Sequence, residues 1–186
     1  MFKILIIIII LICVFLKAYI RIKHRFWAIQ PVYHFYDLKY IWYNGIINKE
    51  LPSKNKYVNF LKVETTNTKQ MSIVDFKNSV NLIQNHYLQT DDTYYLPSDE
   101  NIKSYFKNHN MACFFSFYKI PKFLVETKSN NVIDTTEIIG VVTSRPFYLH
   151  FNKKQFHKSL NVYYIDYLCI HSSYRKKNIT CELLQT

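Results

Sequence analysis

Apolar and polar positions divide the chain into an unbroken apolar block at the N-terminus and a patterned body after it. Residues 4–16 are apolar without interruption and include five consecutive isoleucines; counting through 17–20 brings the run to about the minimum that crosses a bilayer. No small-x-small cleavage site follows, and Lys17, Arg21, Lys23 and Arg25 crowd its C-terminal side, which favours an uncleaved anchor over a signal peptide. A helix buried in a soluble fold is the competing reading, but an isoleucine run beside a polybasic flank suits lipid better. Those four basic residues outweigh Lys3 and the α-amino group, so the positive-inside rule expects the body to face the cytosol. The expected organisation is an anchor over 1–20, meeting the membrane through 4–20, and one domain over 21–186.

Beyond the anchor, residues 42–70 are polar and read as a connecting stretch with one strand over 57–63. Ser72 followed by Asp75 makes a capping-box-like start for a helix whose Phe76, Val80, Ile83 and Tyr87 share one face. A second helix fits Ser98 as N-cap, with Asp99 and Glu100 in its first turn and Ile102, Tyr105 and Phe106 pointing inward. Apolar or β-branched runs at 112–118, 137–144, 147–151 and 161–170 read as strands, and a helix starts at about Lys177. The predicted order is helix, helix, three or four strands, helix, an α/β (α+β) domain.

Composition changes this picture little. The chain has 186 residues, enough for one domain, and its 16 Tyr and 14 Phe against 2 Gly read as background bias. A formal net charge of +11 suits a phosphate-bearing partner: nucleic acid, an anionic membrane or a phosphorylated cofactor such as CoA. No RNP-type, helix-turn-helix or zinc-finger pattern accompanies the basic residues, so nucleic acid is the weakest of the three. Cys13, Cys113, Cys169 and Cys181 lie far apart and form no disulfide framework or metal pattern, and the seven His lack metal-ligand spacing. No metal is expected.

The candidate chemistry concentrates in Tyr164-Ile-Asp-Tyr-Leu-Cys-Ile-His171 and the Ser172-Ser-Tyr-Arg-Lys-Lys-Asn-Ile-Thr-Cys181 that follows: a buried strand, a basic turn and a helix start. Unpaired N–H groups at a helix start, with Arg175, Lys176 and Lys177 beside them, can cradle a pyrophosphate. Acyl-CoA N-acyltransferases of the GNAT superfamily use such a turn, usually with glycines that are absent here.

The segment resembles N-myristoyltransferases more closely. They carry Glu-Ile-Asn-Phe-Leu-Cys-x-His-Lys on this strand, matched here by Ile165, Leu168, Cys169 and His171, with Asp166 for Asn and Tyr167 for Phe. In the turn, Arg175, Lys177 and Thr180 agree with the family, while Lys176 replaces Ser and Asn178 replaces Arg. Upstream, Arg25-Phe-Trp-Ala-Ile-Gln-Pro-Val32 is similar to the family's Gln-Phe-Trp-x-Thr-Gln-Pro-Val. Weaker likenesses lie at Ile139-Gly-Val-Val-Thr-Ser-Arg-Pro146 and at Asn85-His-Tyr-Leu-Gln-Thr-Asp-Asp92. Without the Gln30-Pro31-Val32 that follows them, Phe26 and Trp27 would read as interfacial aromatics of the anchor.

The resemblance implies a GNAT fold, a twisted and mostly antiparallel sheet flanked by helices, with acyl-CoA in a V opened between the last two strands. It implies transfer of a myristoyl group from myristoyl-CoA to the N-terminal glycine of a protein. The acyl-CoA contacts fall on Arg25, Phe26, Trp27, Tyr167, Leu168, Cys169, Ile170, Lys176, Asn178, Ile179 and Thr180. The backbone amides of Tyr167 and Leu168 form the implied oxyanion hole, and Asp91, Asp92 and Asp166 fall near the peptide. The family's second lobe, with its Lys-Phe-Gly-x-Gly-Asp-Gly motif and its C-terminal carboxylate base, has no counterpart within these residues. An acyl-CoA-binding remnant without turnover and a general GNAT acetyltransferase are therefore open alternatives.

Overall fold

The computed structural model describes residues 2–30, 32, 54–125, 132–150 and 159–186. Of the expected features, Pro31, residues 42–53 of the connecting stretch and Phe151 lie outside the described residues. Two compact units make up the chain, Met1–Asn55 and Lys56–Thr186.

Helix α1 (Phe2–Lys23) dominates the first unit. It has no acidic residue in its first turn and ends on Arg21 and Lys23. At 1.5 Å per residue it is about 33 Å long, matching a hydrocarbon core of about 30 Å. Its span Lys3–Lys23 has a mean hydropathy of 2.8 and buries nothing, so by length and composition it suffices to cross a membrane. A short 3-10 turn follows at Trp27–Ile29.

The second unit is an antiparallel meander of four strands, β1 (Val63–Asn67), β2 (Phe114–Val125), β3 (Val132–Leu149) and β4 (Leu160–Ile170), in that spatial order. Between β1 and β2 run helices α2 (Ile73–His86) and α3 (Asp99–Tyr105), and α4 (Ile179–Gln185) closes the chain. Both predicted caps form: Ser72 accepts from the Asp75 N–H at 3.0 Å and Ser98 from the Asn101 N–H at 3.1 Å. Each satisfies a donor that the helix leaves unpaired.

Period-two alternation sends β2 and β3 side chains to opposite faces, and helices cover both. On one face Val80, Leu82 and Ile83 of α2, with Ile102 and Phe106 from α3 and its end, pack on Phe115, Phe117, Ile138 and Val141. On the other, Ile179 and Leu183 of α4 pack on Tyr118, Ile139, Val142 and Ile170. Gly140 permits that second contact: a Cβ there would lie 2.8 Å from Ile170 Cδ1 and 3.0 Å from Leu183 Cδ1.

Four expectations need correction. The first strand begins at Val63, where the predicted one ended, because the Asn59 carbonyls hold a turn: Oδ1 accepts from the Lys62 N–H and the backbone oxygen from the Val63 N–H. The runs at 137–144 and 147–151 belong to one 18-residue strand. Pro146 does not break it, because β2 has ended opposite Ser144 and that side of β3 needs no donor. Pro121 lies likewise beyond the end of β1 pairing, so β2 runs on past 118. Finally, no V opens between the last two strands. β3 and β4 are antiparallel neighbours paired from Leu149/Leu160 to Gly140/Ile170, with one irregularity between Val141 and Thr143.

Candidate functional site

That irregularity lies at the centre of the candidate site. Cys169 pairs with Val141 and Asp166 with Thr143, so β4 carries Tyr167 and Leu168 against the single residue Val142, a β-bulge. Tyr167 takes the left-handed region at φ 44°, where a bulky residue is strained by roughly 1–2 kcal/mol. The strain is held by packing. The Tyr167 ring is buried beside Tyr87, Tyr95, Tyr105 and Phe106, with centroids 5.5–6.3 Å away, and its hydroxyl is 2.9 Å from that of Tyr95. Burial, then the Tyr95 hydrogen bond, push its hydroxyl pKa well above the ordinary tyrosine value.

The bulge also turns the Tyr167 amide out of the ladder, and the adjacent carboxylate takes it. Asp166 Oδ1 accepts from the Tyr167 N–H at 2.9 Å, and Oδ2 accepts from the Tyr105 hydroxyl at 2.6 Å. Arg145 lies over the Tyr105 ring at 4.4 Å and the Tyr164 ring at 5.2 Å. Its Nε is buried without a hydrogen-bond partner among the described residues.

Cys169, two residues on, is buried, and its thiol faces the Leu82 carbonyl at 3.6 Å; burial pushes its pKa up to about 12. A thiol held neutral this way is no nucleophile. Ile170 belongs to the core on the α4 side.

After β4 the chain makes a 3-10 turn, Ser172–Tyr174, in which His171 Nδ1 accepts from the Ser173 N–H at 3.3 Å. Arg175 straps this turn to α2: Nη2 donates to the His86 carbonyl at 2.7 Å and Nε to the Ile170 carbonyl at 3.4 Å. Lys176 and Asn178 then take left-handed conformations, φ 65° and 63°, before α4 begins at Ile179. Glycine would adopt these angles without strain, yet the chain makes the turn without it. Lys176, Lys177 and Asn178 are exposed, and Ile179 is buried under the sheet. Beside the strap, the His86 and His171 rings are 4.1 Å apart, and the His86 pKa is lowered, first by burial and then by His171 and Arg175.

The fold thus brings Asp166 to Ile170 and Lys176 to Thr180 together at one end of β4. Asp91 and Asp92 are exposed at the tip of a turn closed between Thr90 and Thr93, in the loop that leads to Tyr95. Arg25, Phe26 and Trp27 belong to the first unit, where the Phe26 and Trp27 rings meet edge to face at 5.1 Å. Tyr87 and Tyr105 are on the inward helix faces expected from the sequence and Arg145 falls in the 139–146 likeness, but nothing in the sequence assigns them, or Tyr95, to the site. Aromatic residues are so abundant in this chain that no spacing sets these apart.

The four-stranded antiparallel sheet with helices on both faces, and the bulged strand leading through a basic turn into a helix, make a mixed, GNAT-like fold. Among solved structures, Saccharomyces cerevisiae N-myristoyltransferase with bound myristoyl-CoA is similar to this chain with a TM-score of 0.52 and 15% identity, over 87% of this chain and 36% of that one. The chain therefore spans about a third of that protein's length. No protein-family model matches the chain, and no curated protein matches it in sequence.

Proposed function

We propose that this chain binds a long-chain acyl-CoA and presents it for transfer of the acyl group, myristoyl in the first instance, to the N-terminal glycine amine of a protein. The observation that carries this reading is the unit formed by the β4 bulge, the basic turn and α4, set in a fold shared with a protein that binds myristoyl-CoA. The turn at Arg175 to Thr180 would hold the pyrophosphate through backbone N–H groups and the Lys176 and Lys177 charges. Backbone at Tyr167 and Leu168 would polarise the thioester carbonyl. The glycine nitrogen then attacks the carbonyl carbon, the carbon–sulfur bond breaks, and the proton lost by the amine passes by way of a base to the departing sulfur, so that CoA leaves as the thiol. Asp91, Asp92 and Asp166 supply negative charge for a basic peptide. Arg25, Phe26 and Trp27 would add to the cofactor contacts, and α1 would anchor the chain with its body in the cytosol.

One observation favours a second reading, binding without turnover. The Tyr167 N–H that an oxyanion would need is already bonded to the Asp166 carboxylate. A transfer assay separates the two: the full chain in non-ionic detergent, with radiolabelled myristoyl-CoA and a glycine-starting peptide. Label on the peptide, absent when its N-terminus is acetylated, supports transfer. Bound myristoyl-CoA without labelled peptide supports the second reading, and neither binding nor transfer refutes both.

A further inference from the structure

Away from β4, a cavity of about 460 Å³ opens between the N-terminal end of α2, the C-terminal end of α3 and the chain leading into β2. That volume falls within the roughly 300–1,000 Å³ of small-molecule sites. Phe76, Phe106 and Met111 give it apolar walls, backed by the fully buried Phe115, to which Phe106 is edge-on at 4.8 Å. Its charged lining is of one sign: Lys69, Lys103 and Lys107 are exposed at the cavity, and no carboxylate lines it. Lys103 and Lys107 make no ion pair among the described residues.

Apolar depth with unpaired ammonium groups beside it is complementary to one class of ligand, an apolar chain ending in an anion. We infer that this cavity binds a free long-chain fatty acid, its chain against the phenylalanines and its carboxylate among Lys69, Lys103 and Lys107. Neutral lipids gain the apolar contact but not the charge, and hydrophilic anions gain the charge but not the contact. None of the cavity residues belongs to the proposed acyl-CoA contacts, and Phe106 stands between the cavity and Tyr167, its ring 6.2 Å from the latter. The inference therefore does not depend on the acyl-transfer reading.

Photolabelling of the full chain in non-ionic detergent tests it, using a long-chain fatty acid with a diazirine near its apolar end and the matching fatty alcohol. Any amphiphile coats the exposed apolar α1, which serves as the internal standard. The acid is expected to label peptides covering 71–76 and 106–115, and excess unlabelled myristate to compete. In the Lys103→Glu, Lys107→Glu double variant, labelling by the acid should fall about tenfold relative to α1 while labelling by the alcohol is unchanged. Both lysines are exposed, so circular dichroism of the variant should match the wild type. Labelling confined to α1 would overturn the inference. So would equal labelling by acid and alcohol in both proteins, or competition by myristoyl-CoA as strong as that by myristate, which would make the cavity part of a cofactor site.

Discussion

Replacing Asp166 tests the local chemistry of the β4 bulge, because its two carboxylate oxygens hold two different parts of it. Oδ1 takes the Tyr167 N–H at 2.9 Å and Oδ2 the Tyr105 hydroxyl at 2.6 Å. Hydrogen bonds to a charged group contribute about 1.5–3 kcal/mol each, and half-burial of Asp166 places these toward the low end. Asp166→Ala removes both and should cost about 2–3 kcal/mol of unfolding free energy. Asp166→Asn keeps one acceptor, and the Tyr105 hydroxyl can turn to accept from the new amide, so its cost should be about 1 kcal/mol. Denaturant unfolding of the full chain in non-ionic detergent measures both. Function should move the other way for Asn: a neutral side chain competes less for the Tyr167 N–H, so myristoyl-CoA should bind more tightly than to wild type. An Asp166→Ala protein within about 0.5 kcal/mol of wild type would refute the hydrogen-bond argument. An Asn protein that binds the thioester more weakly would show the carboxylate to be a positioning group, not an obstruction.

Other perturbations give further checks. Gly140→Ala forces a Cβ to 2.8 Å from Ile170 Cδ1 and 3.0 Å from Leu183 Cδ1, both side chains buried. Overpacking of about 1–3 kcal/mol, less about 0.4–1 kcal/mol from a stiffer unfolded chain, leaves a net loss of about 1 kcal/mol. Leu183→Ala should be less damaging in that background than alone, and strict additivity of the two in a double-mutant cycle would contradict the packing. His86 adds a pH dependence. Its pKa is lowered in the folded chain, so its contribution to stability is fully present above the unfolded value of about 6.5 and is lost as pH falls toward the folded value. Unfolding midpoints should fall between pH 7.5 and 5.5, and His86→Asn should flatten that slope; an unchanged slope would exclude His86 as its source.

The parts of the fold legible in the sequence were those with a local cause. Ser72 and Ser98 announce their helices because a hydroxyl before an apolar-periodic run satisfies a helix donor wherever the helix packs. The extents of β2 and β3 were hidden because a proline ends a strand only where its missing N–H is needed, which depends on pairing partners distant in sequence. Pro121 and Pro146 both fall where one neighbour has already stopped. The motif at 164–171 located the bulge residues without showing that Tyr167 has a positive φ or that its amide is bonded to Asp166. The tyrosines around Tyr167 come from the C-cap of α2, the α2–α3 loop and the end of α3, and no spacing in the chain brings them together. Lys176 and Asn178 show the opposite case: their left-handed turn forms without the glycines that a pattern search would require.

Calorimetric titration of the full chain in non-ionic detergent with myristoyl-CoA, and separately with acetyl-CoA, measures acyl-CoA binding itself. Expected are saturable binding of the long-chain thioester at one site per chain, much weaker binding of acetyl-CoA, and a loss of affinity in Lys176→Glu, whose exposed side chain leaves the fold untouched. Binding of neither thioester, or equal binding of both that Lys176→Glu leaves unchanged, would contradict the proposal.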